Sequence, residues 1–421
     1  MPTDHEGRGQ KKAARTPVFK STAPQLKATR DSIHAKLTEK TLTPMADMSL
    51  LLFQSLTSFV VTLVAIVLLA RLAPAIGLLD APCDRKQHHG HIPLVGGIAI
   101  FIASVVGALL WGDSNQTIVT VNGNEALWVF MSGGAMLVVT GALDDRYGLG
   151  VFLRILSECA AALILVEGLD LRVNGLGNLF GTGAITLPPA IAYPFTVIAI
   201  FGVINAFNML DGIDGLLAGL VLLTLLTFHL YTGNNPGFLS LFISASLLAF
   251  LVSNLQLTPL MPKSFLGDAG SKLLGFIMVS FILAAASQQV GGKKLIDPAT
   301  ALYLIGLPLF DMVFTSLKRV TKGRSPFAPD RSHIHHLLQS LGFSNRRTVS
   351  IILSISAAIS LLGLILKAAN VPESFQFSIF LGGFLFYSWI TSQAWQISDR
   401  INRQAQRETS HQYSKPSSDA V

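Results

Sequence analysis

The chain has 421 residues, of which 51% are hydrophobic and only 13% are charged, and its mean hydropathy is +0.54. A soluble domain usually carries about 25% charged residues, so this composition excludes an ordinary soluble protein and indicates a polytopic membrane protein. The two cysteines, Cys83 and Cys159, are too few for a disulfide framework or a structural zinc site. No segment has the pattern of a nucleic-acid-binding fold.

The N-terminal region precedes any apolar stretch. Residues 1–45 carry nine Lys and Arg residues but no apolar core, so they lack the pattern of a signal peptide. We expect residues 1–47 to form a disordered basic tail. Met45 and Met48 directly precede the first apolar stretch, so a translation start there is an alternative that the sequence leaves open.

Eleven apolar stretches follow, and each is long enough to cross a bilayer, which needs roughly 20 residues, or fewer where a helix ends in buried protein. The sequence predicts an all-α membrane domain of about eleven transmembrane helices over 48–398 and a polar cytoplasmic tail over 399–421. The central pair is the least clearly separated, so the count could differ by one. The stretches lie near 50–73, 94–111, 126–143, 151–168, 190–207, 211–231, 238–253, 272–289, 299–317, 349–367 and 375–394.

Loop charge predicts the orientation of these helices. Beyond the first 45 residues, Lys and Arg concentrate on the odd-numbered connections and the C-terminal tail, whereas the even-numbered connections hold only Arg172, Lys293, Lys294 and Lys367. Positively charged loops stay in the cytoplasm, so the odd-numbered connections and the C-terminus are predicted to lie inside. The pI near 9.4 suits contact with anionic lipid headgroups.

The acidic and histidine-bearing patches all lie on the odd-numbered connections. The first connection, 80–97, contains Lys86 and the pair Gly96-Gly97. Basic side chains bind phosphate, and glycine allows close approach of a ligand. A positive-inside anchor followed by small-residue helix packing is the alternative, and it is the favoured one for this connection taken alone.

The second patch is Asp144-Asp145, at the end of an apolar stretch. Adjacent residues on a helix project about 100° apart, so one carboxylate can face a metal ion and the other a substrate. A solvated helix cap is the alternative. In the third patch, Asn208, Asp211 and Asp214 are spaced three apart and would share one face of a helix. Two acids and an amide at a membrane boundary suit Mg²⁺ better than mere packing.

The fourth and fifth patches add one acid and a basic loop. Asp268 lies between glycines before an apolar helix, where capping of the helix and access for phosphate are equally compatible with the sequence. The loop after residue 318 is the longest and most basic, and it holds Arg331, His333, His335 and His336. The histidine spacing fits no common structural zinc site, so phosphate binding is favoured over a solvated loop.

Together the patches offer carboxylates for a divalent cation, basic groups for phosphates and a membrane location. This combination suits phosphoryl transfer from a soluble nucleotide donor to a lipid acceptor, in which catalysis consists mainly of positioning and charge neutralisation.

On these motifs the chain resembles the polyprenyl-phosphate N-acetylhexosamine-1-phosphate transferases over roughly 48–400. The motifs stand at 92–97, 143–146, 205–215, 265–271 and 325–336. The His-Ile-His-His form of the last motif, and the spacing from Asn254 to Asp268, are similar to the branch that moves GlcNAc-1-phosphate from UDP-GlcNAc to undecaprenyl phosphate. One departure is Tyr147-Gly148, where the family often has a further acid or Lys.

The resemblance implies eleven helices in the bacterial inner membrane, a cleft on the cytoplasmic face, dependence on Mg²⁺ (or Mn²⁺), and UMP as leaving group. The product would be undecaprenyl-diphosphate-GlcNAc, made in the first membrane step of a cell-surface polysaccharide such as O-antigen or a cell-wall polymer. A homodimer is compatible with this picture.

The resemblance also implies roles for residues. Asp268 would bind the metal ion, Asp145 would support the metal or the diphosphate, and Asp144 would deprotonate or orient the lipid phosphate. Attack by the lipid phosphate is expected to be direct and in line. The residues implied to bind substrate are Asn208, Asp211, Asp214 and Asn254 near the nucleotide, and Arg331, His333, His335, His336 and Lys86 near the phosphates and sugar.

Three alternatives stay open on the sequence. The same chemistry could use another UDP-N-acetylhexosamine. A secondary transporter would also carry acids in a membrane domain, although here they lie at helix ends rather than in mid-span. A CDP-alcohol phosphotransferase shares a superficially similar Asp-Gly-Ile-Asp-Gly run, but no further acids follow Asp214 at the spacing that such an enzyme needs.

Overall fold

The structure is a computed structural model of the 421-residue chain. Backbone is described for residues 23–81, 90–111, 124–233, 238–287, 289–290, 293–328 and 330–413, and side chains from residue 49 onward within these ranges, except at 124, 238, 289–290, 293, 402 and 405–413. The chain divides into two units, Met1–Phe53 and Gln54–Val421, and the second contains every element after the first helix. The side chains of the predicted basic tail, 1–47, lie outside the described residues, as does Lys86.

Helices make up most of the described chain, and each of the eleven predicted apolar stretches overlaps at least one of them, although 94–95, 211–215 and residue 289 lie outside any helix. The stretch 299–317 is divided between two helices, α9 and α10, which meet at a bend of 83°. The helices are α1 Ala23–Ile76, α2 Gly96–Trp111, α3 Asn124–Tyr147, α4 Val151–Gly168, α5 Pro189–Leu210, α6 Leu216–Thr232, α7 Phe238–Asn254, α8 Gly267–Ser287, α9 Pro298–Leu304, α10 Gly306–Thr321, α11 Ile334–Ser340, α12 Asn345–Ala368 and α13 Glu373–Tyr413.

The helices identify a membrane protein. Among the described residues, five helices are long and apolar enough to cross a bilayer, or six if the bent pair forms one span, and three shorter helices are also apolar. Helix α4 is long enough as well, but it carries Arg154, Glu158 and Glu167 within its 18 residues. Ionisable residues in such a helix usually face a polar interior, and two of these three lie at the site described below.

The described strands form three short antiparallel pairs in the connections between helices. They are β1 Leu79–Asp80 with β2 Ile92–Pro93, β3 Gly175–Gly177 with β4 Ile185–Thr186, and β5 Gln289–Val290 with β6 Lys293–Lys294. The β2 strand leads into the site, because the Phe265 N–H donates to the Pro93 carbonyl at 2.9 Å. The N–H of Gly96 in turn donates to the Phe265 carbonyl at 2.9 Å, so the starts of α2 and α8 are held side by side.

Helix α8 lies at the centre of the bundle and packs on α2, α3 and α5. Every residue from Ala269 to Ala285 is buried. Small residues permit this close packing: a side chain at Gly97 would overlap the backbone of Gly270, and a Cβ at Gly141 would lie 2.5 Å from the Ala269 Cα. The packing interpretation of Gly97 is therefore confirmed. The first turn of the buried α8, at its N-terminus, forms part of the site described below.

Candidate active site

Two adjoining cavities lie at the ends of these helices. The larger has a volume of about 1320 Å³ and the smaller about 300 Å³. Both are lined by Arg154, Asn208, Asp211, Gly212 and His336, so they join along one shared wall. Apart from Asp144, every predicted site residue within the described part of the chain lines one or both cavities. These residues are Asp145, Asn208, Asp211, Asp214, Asn254, Asp268, Arg331, His333, His335 and His336.

The two carboxylates at the end of α3 face different partners, as their angular separation predicts. Asp144 is buried, and its Oδ1 accepts a hydrogen bond from the Leu149 N–H at 2.8 Å. Asp145 Oδ1 instead accepts from the N–H of Asp268 at 3.1 Å. The other oxygen of Asp145, Oδ2, is buried without a hydrogen-bond partner. A buried carboxylate oxygen without a partner is costly unless something else satisfies it.

Asp145, rather than Asp268, caps helix α8. Asp268 lies in the first turn, and its carboxylate is one-third exposed on the larger cavity. The capping alternative for Asp268 is therefore wrong, since the carboxylate that accepts the helix N–H comes from α3. Gly267 makes this approach possible, because its φ is +69° and a Cβ there would clash with Asp145 Oδ2.

The segment 205–215 does not form one continuous helix, so the predicted shared helical face of Asn208, Asp211 and Asp214 is wrong. Helix α5 ends at Leu210 and α6 begins at Leu216. Gly215 has φ +78°, a left-handed conformation that glycine adopts without strain and that interrupts the helix. The intervening turn, 211–215, projects into both cavities instead of presenting a helix face.

Asn254 holds this turn in place. Its Oδ1 accepts the Gly215 N–H at 2.7 Å, while its Nδ2 donates to the Ser264 carbonyl at 3.0 Å. Oδ2 of Asp214 lies 2.7 Å from Nζ of Lys263, which was not among the residues predicted from the sequence. The turn is thereby tied to the connection that leads into α8.

Asp211 lies within an anionic environment. Its carboxyl is half-buried and lines both cavities. Burial, together with the negative charges of Asp268, Asp145 and Asp214, raises the pKa of Asp211 to about 8. Such a concentration of acids attracts a cation.

His333 is held by the protein on both ring nitrogens. Its Nδ1 lies 2.7 Å from Asp311 Oδ2, and its Nε2 lies 3.2 Å from Nη2 of Arg319. Arg319 also binds Asp330 through Nε at 3.1 Å and Nη2 at 2.7 Å. Burial favours the neutral acid at Asp330, but the hydrogen bonds from Arg319 and Ser332 and the Arg319 charge outweigh it and hold the pKa to about 2. His333 thus anchors the loop.

All three histidines line the smaller cavity, and His336 also lines the larger one. The His335 ring is stacked parallel to that of His333, with 5.9 Å between centroids, and its Nδ1 is buried without a partner. A Cβ at Gly212 would clash with His335 Nε2, so the glycine lets this ring approach the turn. Burial and the neighbouring histidines lower the pKa of both His335 and His336, with Arg331 adding to the effect at His336.

A network around Lys272 was missed by the sequence reasoning. The Lys272 Nζ lies 3.4 Å from Asp144 Oδ2 and 3.5 Å from both Glu158 Oε1 and Asp268 Oδ2. Glu158 Oε2 accepts a hydrogen bond from Asn205 at 2.6 Å. The available signal was an acid inside the apolar stretch 151–168, which is rarely kept without a function.

A divalent cation fits one part of the site. Among the described side chains, no three His, Cys, Asp or Glu residues are arranged to enclose an ion by themselves. Asp145 and Asp268 are joined through the first turn of α8, and Asp145 Oδ2 has an unused acceptor position. Mg²⁺ is usually held by one or two carboxylates, with water and substrate phosphates completing the octahedron, so two carboxylates suffice.

Fold and cleft together define a membrane protein whose polar site combines carboxylates with basic groups, an arrangement typical of phosphoryl transfer. The model of the family described as glycosyl transferase family 4 matches residues 127–286.

Three relatives extend this match over most of the chain. An undecaprenyl-phosphate alpha-N-acetylglucosaminyl 1-phosphate transferase from Yersinia pestis is 36% identical over 339 residues, 79% of this chain and 89% of the relative. The protein of that name from Escherichia coli K12 is 34% identical over 344 residues, 80% of this chain and 90% of the relative. A probable undecaprenyl-phosphate N-acetylglucosaminyl 1-phosphate transferase from Bacillus subtilis is 33% identical over 322 residues, 75% and 85% respectively. The chain belongs to this transferase family, which confirms the predicted resemblance.

Proposed function

We propose that the protein transfers GlcNAc-1-phosphate from UDP-GlcNAc to undecaprenyl phosphate, giving undecaprenyl-diphosphate-GlcNAc and UMP. The observation that carries the proposal is the meeting of Asp145 and Asp268 at the N-terminus of α8, beside two joined cavities. The names of the relatives supply the donor sugar and the acceptor lipid.

The two cavities suit the two substrates. The larger, about 1320 Å³, has room for a nucleotide sugar, and the turn 211–215, Lys263 and Phe265 line it. The smaller, about 300 Å³, suits the phosphate of the acceptor and is lined by Arg154, Asn205 and other polar groups. Since the cavities share a wall, an acceptor phosphate in the smaller one lies next to a donor diphosphate in the larger. This geometry favours direct, in-line attack without an enzyme-bound intermediate.

Asp145 and Asp268 are the proposed metal ligands, and Mg²⁺ is the proposed ion, with Mn²⁺ able to use the same oxygen ligands. When bound, the ion supplies neutralisation of charge on the diphosphate and on the departing UMP. The chain's own contribution is to hold both carboxylates in one orientation: the α8 cap fixes Asp145, and Lys272 fixes Asp268.

Asp144 acts in this proposal by orienting a basic group. It lines neither cavity, and its Oδ2 lies 3.6 Å from Nη1 of Arg154, which lines both. A phosphate monoester is largely dianionic at neutral pH, because its second pKa is near 6, so little proton removal is needed. Arg154 would bind the acceptor phosphate, while Arg331 and His336 would contact the donor diphosphate.

Asp211 and Asp214 would shape the nucleotide end of the cleft. Asp214 is paired with Lys263 and stands on the turn held by Asn254. His335 supports the same turn from the other side through Gly212. We assign the buried His333 and Asn254 to positioning the loop and the turn. Arg154, Arg331 and His336 are less buried, and we assign them to substrate contact.

The membrane arrangement is also part of the proposal. Each of the eleven apolar stretches overlaps one or two helices, and basic residues concentrate on the odd-numbered connections. We infer eleven spans over 48–398, an inner-membrane location and a cleft that opens to the cytoplasm, where UDP-sugars are made. Cys83 and Cys159 are first replaced by serine, and single cysteines are then introduced at Lys263 and Lys294. Reaction with an impermeant maleimide tests this arrangement: only the first should react from the cytoplasmic side.

The test of the function is a reconstituted assay. Purified protein, undecaprenyl phosphate, UDP-GlcNAc and Mg²⁺ should yield UMP and a lipid-linked sugar, and omission of the lipid should abolish both. UDP-GalNAc and other UDP-N-acetylhexosamines, supplied in parallel, determine the sugar. Transport of labelled UDP-GlcNAc into liposomes without any lipid product would replace this proposal with the transporter alternative.

A further inference from the structure

Lys272 is almost wholly buried, with 1% of its surface exposed. Its position in α8 places the ammonium between the C-terminal end of α3 and the middle of α4. Within 3.5 Å of Nζ lie the carboxylates of Asp144, Glu158 and Asp268, one from each of these three helices. A buried ammonium is costly unless it is paired, and here three carboxylates pair with it.

Glu158 is as deeply enclosed as the lysine. It is 2% exposed, and one oxygen faces Lys272 while the other accepts the hydrogen bond from Asn205. Each of the two Glu158 carboxylate oxygens therefore has a protein partner in the described contacts. Its charge is balanced by Lys272, and both residues line the smaller cavity but not the larger one.

The ionisable groups of the cluster leave a defined charge. Four carboxylates and two cations make it up: Asp144, Asp145, Glu158, Asp268, Lys272 and Arg154. With all six ionised, four negative and two positive charges leave two negative charges. A divalent cation offsets this negative charge, to which the neighbouring Asp211 adds. Without the Lys272 charge three negative charges would remain, which would attract cations more strongly.

We propose that Lys272 is a positioning residue that serves as the fixed internal cation of this carboxylate cluster. In this role it weakens and limits cation binding, so that the Asp145–Asp268 side takes a single exchangeable divalent ion. It also holds Asp144 and Asp268 in register across α3 and α8. The inference rests on the proposed function for the use of a divalent ion at these two carboxylates.

Two substitutions are expected to change the Mn²⁺ dissociation constant in opposite directions, which tests the proposal without a measurement of turnover. Mn²⁺ binding to the purified full-length protein, measured by electron paramagnetic resonance of the free ion, gives a dissociation constant for each variant. Lys272→Met removes a positive charge and should tighten Mn²⁺ binding by about tenfold or more. Glu158→Gln removes a negative charge with little change in shape and should weaken binding by about threefold or more. Opposite signs are the signature of charge balance.

Combined and conservative variants keep the test decisive if Lys272→Met alone fails to fold. The double variant Lys272→Met/Glu158→Gln removes the pair together and should bind Mn²⁺ within about threefold of wild type. Lys272→Arg keeps the charge and should do the same. The matched control is Lys294→Met, which removes an exposed lysine of β6 and should leave binding unchanged.

Several results would overturn the inference. Mn²⁺ binding that is weaker or unchanged in Lys272→Met, or tighter or unchanged in Glu158→Gln, would contradict it. So would a double variant whose dissociation constant differs from that of wild type as much as that of the more strongly altered single variant. The absence of Mn²⁺ binding by wild type would also overturn it. The proposed function is judged separately by UMP release from wild-type protein. Release of UMP with unaltered Mn²⁺ binding in the variants would remove the inference and leave the function standing.

Discussion

Replacement of Asp145 by asparagine separates the two roles that the structure gives to this side chain. Oδ1 of Asp145 accepts the Asp268 N–H at 3.1 Å, whereas Oδ2 is buried and has no hydrogen-bond partner. Asparagine keeps a carbonyl oxygen for the first role and removes the charge needed for the second. Asp145→Asn should therefore fold normally but bind the divalent ion poorly.

The magnitude follows from these contacts. Loss of one preorganised electrostatic group at a transferring phosphate costs roughly 10²–10³-fold in turnover, about 2.7–4 kcal/mol. The cap on α8 survives in Asp145→Asn, so the melting temperature should change little. Asp145→Ala is the matched comparison: it also loses the cap, which costs about 0.5–2 kcal/mol of stability.

The assay measures UMP release at saturating substrates across a Mg²⁺ titration, together with thermal unfolding of each variant. We expect Asp145→Asn to show low turnover that rises at high Mg²⁺, and Asp145→Ala to show low turnover plus a lower melting temperature. Wild-type turnover in Asp145→Asn would refute the metal-binding role. A fall in melting temperature as large as that of Asp145→Ala would refute the separation of cap from charge.

Further outcomes are expected from other parts of the site. Asp268→Asn and Asp144→Asn should each lower turnover by about 10²-fold or more, and wild-type rates in either variant would remove that residue from its role. Gly212→Ala places a methyl group 2.3 Å from Nε2 of the buried His335, so turnover should fall by about tenfold and the melting temperature should fall as well; normal turnover would show that this contact is dispensable. The raised pKa of Asp211, about 8 against an ordinary 3.8, means that the folded protein retains a proton which the unfolded chain releases. Without metal, the stabilising contribution of protonated Asp211 is complete at pH values below about 3.8 and is lost as the pH rises to about 8. In EDTA, the melting temperature should therefore fall more over this pH range in wild type than in Asp211→Asn. An equal fall in the two proteins would contradict this.

The sequence predicted the helices well because their signal is local. Long apolar stretches must satisfy their own backbone hydrogen bonds in a membrane, so most of each stretch is helical in the described residues, with 211–215 the main exception. The convergence of the patches was also predictable, since all of them lie on the odd-numbered connections between the apolar stretches. The bend of 83° between α9 and α10 was not predicted, although Gly306 and Pro308 stand at it and Pro308 has no N–H to donate to the carbonyl of Leu304.

The errors arose where a contact between distant segments decides the structure. Spacing alone favoured a helical face for Asn208, Asp211 and Asp214, but Gly215 adopts a left-handed conformation that Asn254 stabilises from 39 residues away. Capping of α8 by Asp268 was one of two interpretations compatible with the sequence, whereas the acceptor comes from Asp145, 123 residues earlier. No local pattern encodes such partners.

Lys272 and Glu158 show a different kind of omission. Both are visible in the sequence as charges within or beside apolar stretches, but their significance depends on each other. Lys272, one helical turn after Asp268, can be interpreted from the sequence as a positively charged anchor on the inner face. The structure instead places its Nζ 3.5 Å from Glu158 Oε1. Buried charge pairs of this kind require the packing of α3, α4 and α8 to be known.

The measurement that tests the central claim most directly is UMP release by the purified protein supplied with UDP-GlcNAc, undecaprenyl phosphate and Mg²⁺. We predict UMP and lipid-linked GlcNAc in equal amounts, dependent on both the lipid and the divalent ion, and lost in Asp268→Asn. Failure to release UMP with any UDP-N-acetylhexosamine under conditions in which a relative is active would contradict the proposed function.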